Sequence, residues 1–228
     1  MRKYILISMI LLLVGVNLFA QTQSVTVSPK MKIIPIAGAN LDMHYTADLQ
    51  RLSVIATFDV PKASIDGNAY NGFFLNKNAR IESIHVGNVR SAIFFINGAN
   101  ETNFEPVLSK PQLLSEDSNA KFHGFYLNGF DEYPATVKIV LKYNLSLQDF
   151  APNELGKPST GINADQYWYP HSFAGTTMVE AKVLTTKYFS VILGNNFSTY
   201  TDEKFSRTHK AMFIDTPESP VSIRFMKN

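Results

Sequence analysis

The chain has 228 residues, with 21 basic and 19 acidic side chains and no cysteine. Without thiols it can form no disulfide, carry no lipid-modified cysteine and use no cysteine nucleophile, so its fold must rest on an apolar core. The charges nearly balance and Lys and Arg do not cluster, which argues against a nucleic-acid partner.

Residues 1–20 come first in the chain and have the layout of a secretory signal peptide. Arg2 and Lys3 precede an apolar run over 5–16, and Leu18, Phe19 and Ala20 place a small residue before Gln21. An uncleaved membrane anchor is the alternative. Gly15 and Asn17 interrupt the run, which falls short of the ~20 apolar residues a spanning helix needs. The expectation is therefore an exported chain, periplasmic or extracellular, cleaved before Gln21 and with no stable membrane span thereafter. Arg2 and Lys3 are the only charges in the segment, so 19 basic and 19 acidic residues remain in about 208 residues. A chain of that length buries roughly 70% of its unfolded surface.

From there a period of two dominates. Runs rich in β-branched and aromatic residues predict strands over 43–49, 52–60, 72–75, 80–86, 92–96 and 122–127. Over 134–143, Val137, Ile139, Leu141 and Tyr143 share one face while Lys138 and Lys142 take the other; Val140 is the exception. The same alternation predicts strands over 179–183 and 221–225, and further runs rich in β-branched and aromatic residues predict them over 188–193 and 211–214. Turn chemistry separates them at Asp66-Gly67-Asn68, Gly87-Asn88, Asn97-Gly98, Asn128-Gly129, Gly194-Asn195 and Thr216-Pro217. Two segments read as loops: 101–119, with Pro106 and Pro111, and 148–165, with Pro152, Gly156, Pro158 and Gly161.

The expected fold is all-β, a large antiparallel β-sandwich or saddle of many short strands with few or no helices. Residues 21–228 form a single domain in this reading, with a possible sub-boundary in the loop 148–165.

Candidate chemistry is sparse. The five histidines, His44, His85, His123, His171 and His209, show neither i, i+2 nor i, i+4 pairing and no His-Glu-x-x-His, so no metal or cofactor is expected. Ser172 beside His171 is a chain neighbour, not a nucleophile presented to a base, and there is no Gly-x-Ser-x-Gly elbow. The pairs Glu116-Asp117, Asp131-Glu132 and Asp202-Glu203 would point to opposite faces of a strand, which is not the facing pair that glycoside hydrolysis needs. No catalytic residue is assigned.

One block stands out: Tyr167, Trp168, Tyr169, Pro170 and His171, holding the only tryptophan. Tyr167, Trp168, Tyr169 and His171 could form an aromatic platform for a sugar ring or an extended peptide. The competing and preferred reading has Trp168 plugging the end of the sandwich, with Pro170 at a strand edge.

The order of features resembles the N-terminal β-domain of the aminopeptidase N family. The resemblance rests on the early strand pair over 43–60, on Phe73-Phe74-Leu75-Asn76 leading to 81–87, and on the alternating strand after Pro134. Trp168-Tyr169-Pro170 and the closing Pro220, Ser222, Ile223 and Phe225 complete it. It implies a β-domain without the family's zinc chemistry, because neither Gly-x-Met-Glu-Asn nor His-Glu-x-x-His occurs in this sequence and the Glu-Pro-x-x-Ala-Arg segment is absent. None of the family's catalytic residues carries over. The function expected is a non-catalytic binding or scaffolding module for a peptide, glycan or protein partner. The alternative is a hydrolase or peptidase-associated subunit whose site comes from distant strands or a partner chain.

Overall fold

The computed structural model describes residues 30–91, 93–95, 103–105, 110–127, 132–150, 161–173, 175–216 and 221–228. The expected signal peptide over 1–20, the turns at Asn97-Gly98, Asn128-Gly129 and Pro217, and most of the loop 148–165 lie outside them. In chain order the first strands are β1 (Met31–Ile33), β2 (Gly38–Thr46), β3 (Arg51–Pro61), β4 (Tyr70–Asn76), β5 (Arg80–Val86) and β6 (Val89–Ser91). Next come β7 (Ile93–Phe95), β8 (Phe104–Glu105), β9 (Ala120–Phe125), β10 (Thr136–Ser146), β11 (Gly161–Ile162) and β12 (Thr177–Thr186). The last are β13 (Phe189–Leu193), β14 (Asn196–Phe197), β15 (Thr199–Asp202), β16 (Ser206–Asp215) and β17 (Ile223–Lys227). The helical content among the described residues is confined to short 3-10 turns such as Ala47–Leu49 and Pro111–Leu114. The all-β expectation holds.

The strands form three sheets, in the orders β15-β16-β12-β2-β3-β10-β5-β6, β7-β9-β4-β1-β8 and β11-β17-β13-β14. The long strands of the first sheet realise the period-two pattern. In β2, Ala39, Leu41, Met43 and Tyr45 face inward and Asn40, Asp42 and His44 outward; β12 sends Val179, Ala181 and Val183 in and Glu180 and Lys182 out. The two smaller sheets cover the inner face, and one buried cluster draws on all three. Tyr45 stacks on Phe225 at 3.9 Å between centroids, and Phe58 meets Phe73 edge-on at 5.8 Å. Strand β4 is buried on both faces: Phe73 enters this core, whereas Phe74 joins Met31, Ile33, Phe104, Leu113 and Phe122 in a second cluster.

Two of the three sheets are mixed, which corrects the purely antiparallel expectation, while the β11-β17-β13-β14 sheet is antiparallel throughout. β12 lies parallel to β2, with Val179 opposite Ala39 and Val183 opposite Met43, and β1 runs parallel to both β4 and β8. Parallel neighbours need a long crossover. Here the intervening strands supply it, so no helix is required.

Local differences have local causes. The predicted strand 43–49 ends at Thr46 because the backbone turns through 47–49 to Gln50, whose φ of 45° is left-handed. Predicted strand 211–214 extends over the whole of β16, whose first half is polar. The expected loop 101–119 contains β8 and the Pro111–Leu114 turn, and β1 lies in a stretch where no strand is predicted. Gly87 and Gly194 adopt φ of 60° and 61° in two-residue loops closing β5–β6 and β13–β14, the conformation that glycine takes at least cost.

Candidate functional site

The segment after β11 runs along the edge of β4, beyond the point where β1 ends. Phe74 N–H donates to His171 O and His171 N–H to Phe74 O, both at 2.9 Å, and Asn76 N–H donates to Tyr167 O. This backbone pairing fixes which way each side chain of the block faces. Trp168 is fully buried; its indole N–H donates to Val221 O at 2.6 Å, and its own carbonyl accepts from the Tyr143 hydroxyl at 2.9 Å. Tyr169 is also buried and packs edge-on against Trp168 (4.6 Å) and Phe213 (5.6 Å). Tyr167 is half-buried over the second cluster, in ring contact with His171 and Phe173.

His171 is buried as well, with Nδ1 3.1 Å from Oδ2 of Asp215 at the end of β16. That carboxylate also lies beside the Tyr169 phenol, whose pKa is pushed far up, first by burial and then by Asp215. Tyr169, Asp215 and His171 thus form a polar cluster enclosed by aromatic rings. His171 Nε2 and Asp215 Oδ1 have no hydrogen-bond partner among the described residues. A His–Asp pair can in principle polarise a proton donor. Both side chains are under a tenth exposed.

The structure places the four residues of the expected aromatic platform, Tyr167, Trp168, Tyr169 and His171, unevenly with respect to solvent. Three of the four are sealed in the interior and only Tyr167 reaches partial exposure. The physical reason is that the block continues a sheet edge between two apolar layers, where the rings lower the free energy most by burial.

The remaining histidines are dispersed. His123, on β9, is buried, and burial lowers its pKa to about 4. His209 is held by Ser198 Oγ at 2.9 Å from Nδ1 and Thr185 Oγ1 at 3.3 Å from Nε2, and burial lowers its pKa as well. Among the described residues, no three of His, Asp and Glu converge as metal ligands. Asp202 is bound in two hydrogen bonds by Arg207, and Glu203 accepts from the Ser206 hydroxyl, so this acidic pair stabilises a hairpin.

The buried His123 makes stability pH-dependent. Its folded pKa lies below the value of ~6.5 in an unfolded chain, so between those values the unfolded state binds a proton that the folded state does not. Its stabilising contribution is complete above about pH 6.5 and is lost as pH falls, by roughly 2–3 kcal/mol at about pH 4.5. Urea melts at about pH 7 and 4.5 should show this decline, with His209 adding in the same direction, and His123→Gln should flatten it.

The exposed part of the eight-stranded sheet was not singled out by any sequence motif, because its residues come from many strands. Register places Lys142, Ile55, Asp42, Lys182 and Lys210 in one row across its outer face, with Lys182 Nζ 3.8 Å from Asp42 Oδ1. A parallel row carries Thr57, Asn40, Glu180 and Met212. Two shallow hollows of ≈ 560 and ≈ 640 Å³ lie on this face. The first is lined by Asn40, Glu180, Lys210 and Met212, the second by His44, Ile55, Glu82 and Leu184. Met212 is 63% exposed and Ile214 64%, large apolar surfaces set among charges of both signs.

No protein-family model matches the sequence, and no curated protein matches it. Among solved structures the chain is similar to native leukotriene A4 hydrolase from Saccharomyces cerevisiae, with a TM-score of 0.53 and 9% identity over 84% of this chain and 29% of that one. A second structure of the yeast hydrolase, in complex with bestatin, gives 0.50 and 9% over 86% and 29%. An M1 zinc metallopeptidase from Deinococcus radiodurans gives 0.49 and 12% over 88% and 44%. At these identities the likeness is one of fold. It agrees with the resemblance to the N-terminal β-domain of the aminopeptidase N family read from the order of strands. The chain spans less than a third of the length of the yeast hydrolase.

Proposed function

We propose that this chain is an exported, non-catalytic module that associates with a peptidase catalytic chain through the outer face of its eight-stranded sheet. The observation that carries the reading is the fold: it corresponds to 29% of a larger hydrolase, a part and not the whole. The one close acid–base arrangement in the described residues around His171 and Asp215 is sealed inside, which supports a role in structure over one in turnover. The outer face supports a protein partner. It sets exposed Met212 and Ile214, the apolar area a partner would cover, among Asp42, Glu180, Lys182 and Lys210, which suit a polar rim.

The test starts from the tagged chain, isolated after crosslinking from the cells that make it. It should bring down aminopeptidase activity that a chelator abolishes and that the chain alone, with or without zinc, does not show. Lys182→Glu combined with Met212→Glu should release that activity without changing the melting temperature. Mass spectrometry should place the N-terminus near Gln21. Hydrolysis by the purified chain alone, or recovery with no associated peptidase, would overturn the proposal.

A further inference from the structure

β12 and β16 run antiparallel with Thr186 opposite Ser206, so the turn that follows β12 and the hairpin that precedes β16 emerge at the same end of the large sheet. Lys187 N–H donates to Phe205 O at 3.4 Å and joins them. Both turns depart from ordinary turn chemistry. Gly, Asn, Asp and Pro dominate such positions, yet here one turn is Lys187-Tyr188 and the other hairpin places Lys204-Phe205 at its tip. Phe205 is 74% exposed and Tyr188 60%, with Tyr200 on the adjoining β15 at 56%.

Each of these rings has its own cation. Lys204 Nζ lies 5.1 Å from the Phe205 centroid, Lys187 Nζ 5.7 Å from that of Tyr188, and Arg207 Cζ 3.9 Å from that of Tyr200. The acids at this end are already engaged: Asp202 by Arg207 and Glu203 by Ser206. Among the described residues neither Lys187 nor Lys204 has an ion-pair partner, and Lys227 is exposed on the neighbouring β17.

We propose that this end of the molecule is a membrane-contact tip, which seats Phe205 and Tyr188 at the headgroup boundary of an anionic bilayer and directs Lys187 and Lys204 to lipid phosphates. The physical fit lies in the pairing. A ring that leaves water at the interface gains apolar transfer free energy, while an adjacent ammonium group on a flexible stem reaches the phosphate layer and is attracted by the negative surface potential. Core formation does not account for these rings, since they project from turns beyond the last paired residues. The inference is independent of the peptidase partner, because the tip is at the end of the sheet and not on its outer face.

Sedimentation with sucrose-loaded vesicles tests it, using the purified chain with an N-terminus fixed by mass spectrometry and identical in all variants. Binding is expected to vesicles of phosphatidylcholine with phosphatidylglycerol and not to phosphatidylcholine alone, and it should weaken as salt rises from about 0.05 to about 0.5 M. Tyr188→Ala with Phe205→Ala should lower the partition coefficient about tenfold or more. Lys187→Glu with Lys204→Glu should remove the preference for anionic lipid. Melting temperatures and circular dichroism should match wild type in both variants, because all four side chains are exposed. Absence of vesicle binding, binding that both variants retain, or binding of a soluble polysaccharide that depends on Tyr188 and Phe205 would each overturn the proposal, the last by assigning the tip to a glycan.

Discussion

Trp168→Ala is expected to cost ~3–5 kcal/mol, a large part of the ~5–15 kcal/mol that holds a domain of this kind together. The side chain is fully buried, touches Tyr169 and satisfies Val221 O through its indole N–H. Truncation therefore leaves a cavity between the large sheet and the edge of β4, and a buried carbonyl without its donor. At 2–4 °C per kcal/mol, the melting temperature should fall by roughly 6–20 °C. Trp168→Phe separates the two contributions. It keeps most of the apolar volume and loses the hydrogen bond, so it should recover more than half of the loss. The wild-type emission reads the same environment independently, since this is the only indole in the chain, and it should be blue-shifted and poorly quenched. A red, readily quenched signal would contradict the buried position.

Asp215→Ala should also be destabilising, although it deletes fewer atoms. The carboxylate is buried, lies 3.1 Å from His171 Nδ1 and neighbours the Tyr169 phenol, so its removal strands polar atoms where water does not reach. A buried polar partner left unsatisfied costs roughly 1–3 kcal/mol, and more where it is charged. Urea midpoints will measure the loss. Combining the change with His171→Phe supplies the diagnostic: with the stranded group also removed, the double variant should be more stable than the sum of the single losses predicts. Strict additivity would mean that the pair contributes little and that the cost lies in packing around β16.

Part of this site was legible beforehand and part was not. The preferred structural reading of Trp168 follows from a rule that needs no coordinates: a large ring in an aromatic-rich all-β chain usually lies inside. The partner of His171 could not be read in the same way. Asp215 lies at the end of β16, and only the path of the chain brings it beneath the block. The tip is a similar case. Lys187-Tyr188 and Lys204-Phe205 are unremarkable dipeptides until the Thr186–Ser206 register places their turns together. Strand β1, three residues long, is too short to display a period, whereas β10 and β12 display it over their whole length.

The strand character of the chain, the face each side chain of β10 and β12 takes, and the glycine turns at Gly87 and Gly194 were legible in the sequence. These are consequences of local geometry, because a side-chain period of two and a left-handed turn are properties of a few consecutive residues. That β12 lies parallel to β2, that β4 is buried on both faces and that His171 meets Asp215 follows from long-range packing alone. Pairing joins segments far apart in the chain, and alternation states which face is apolar without stating which strand lies beside it.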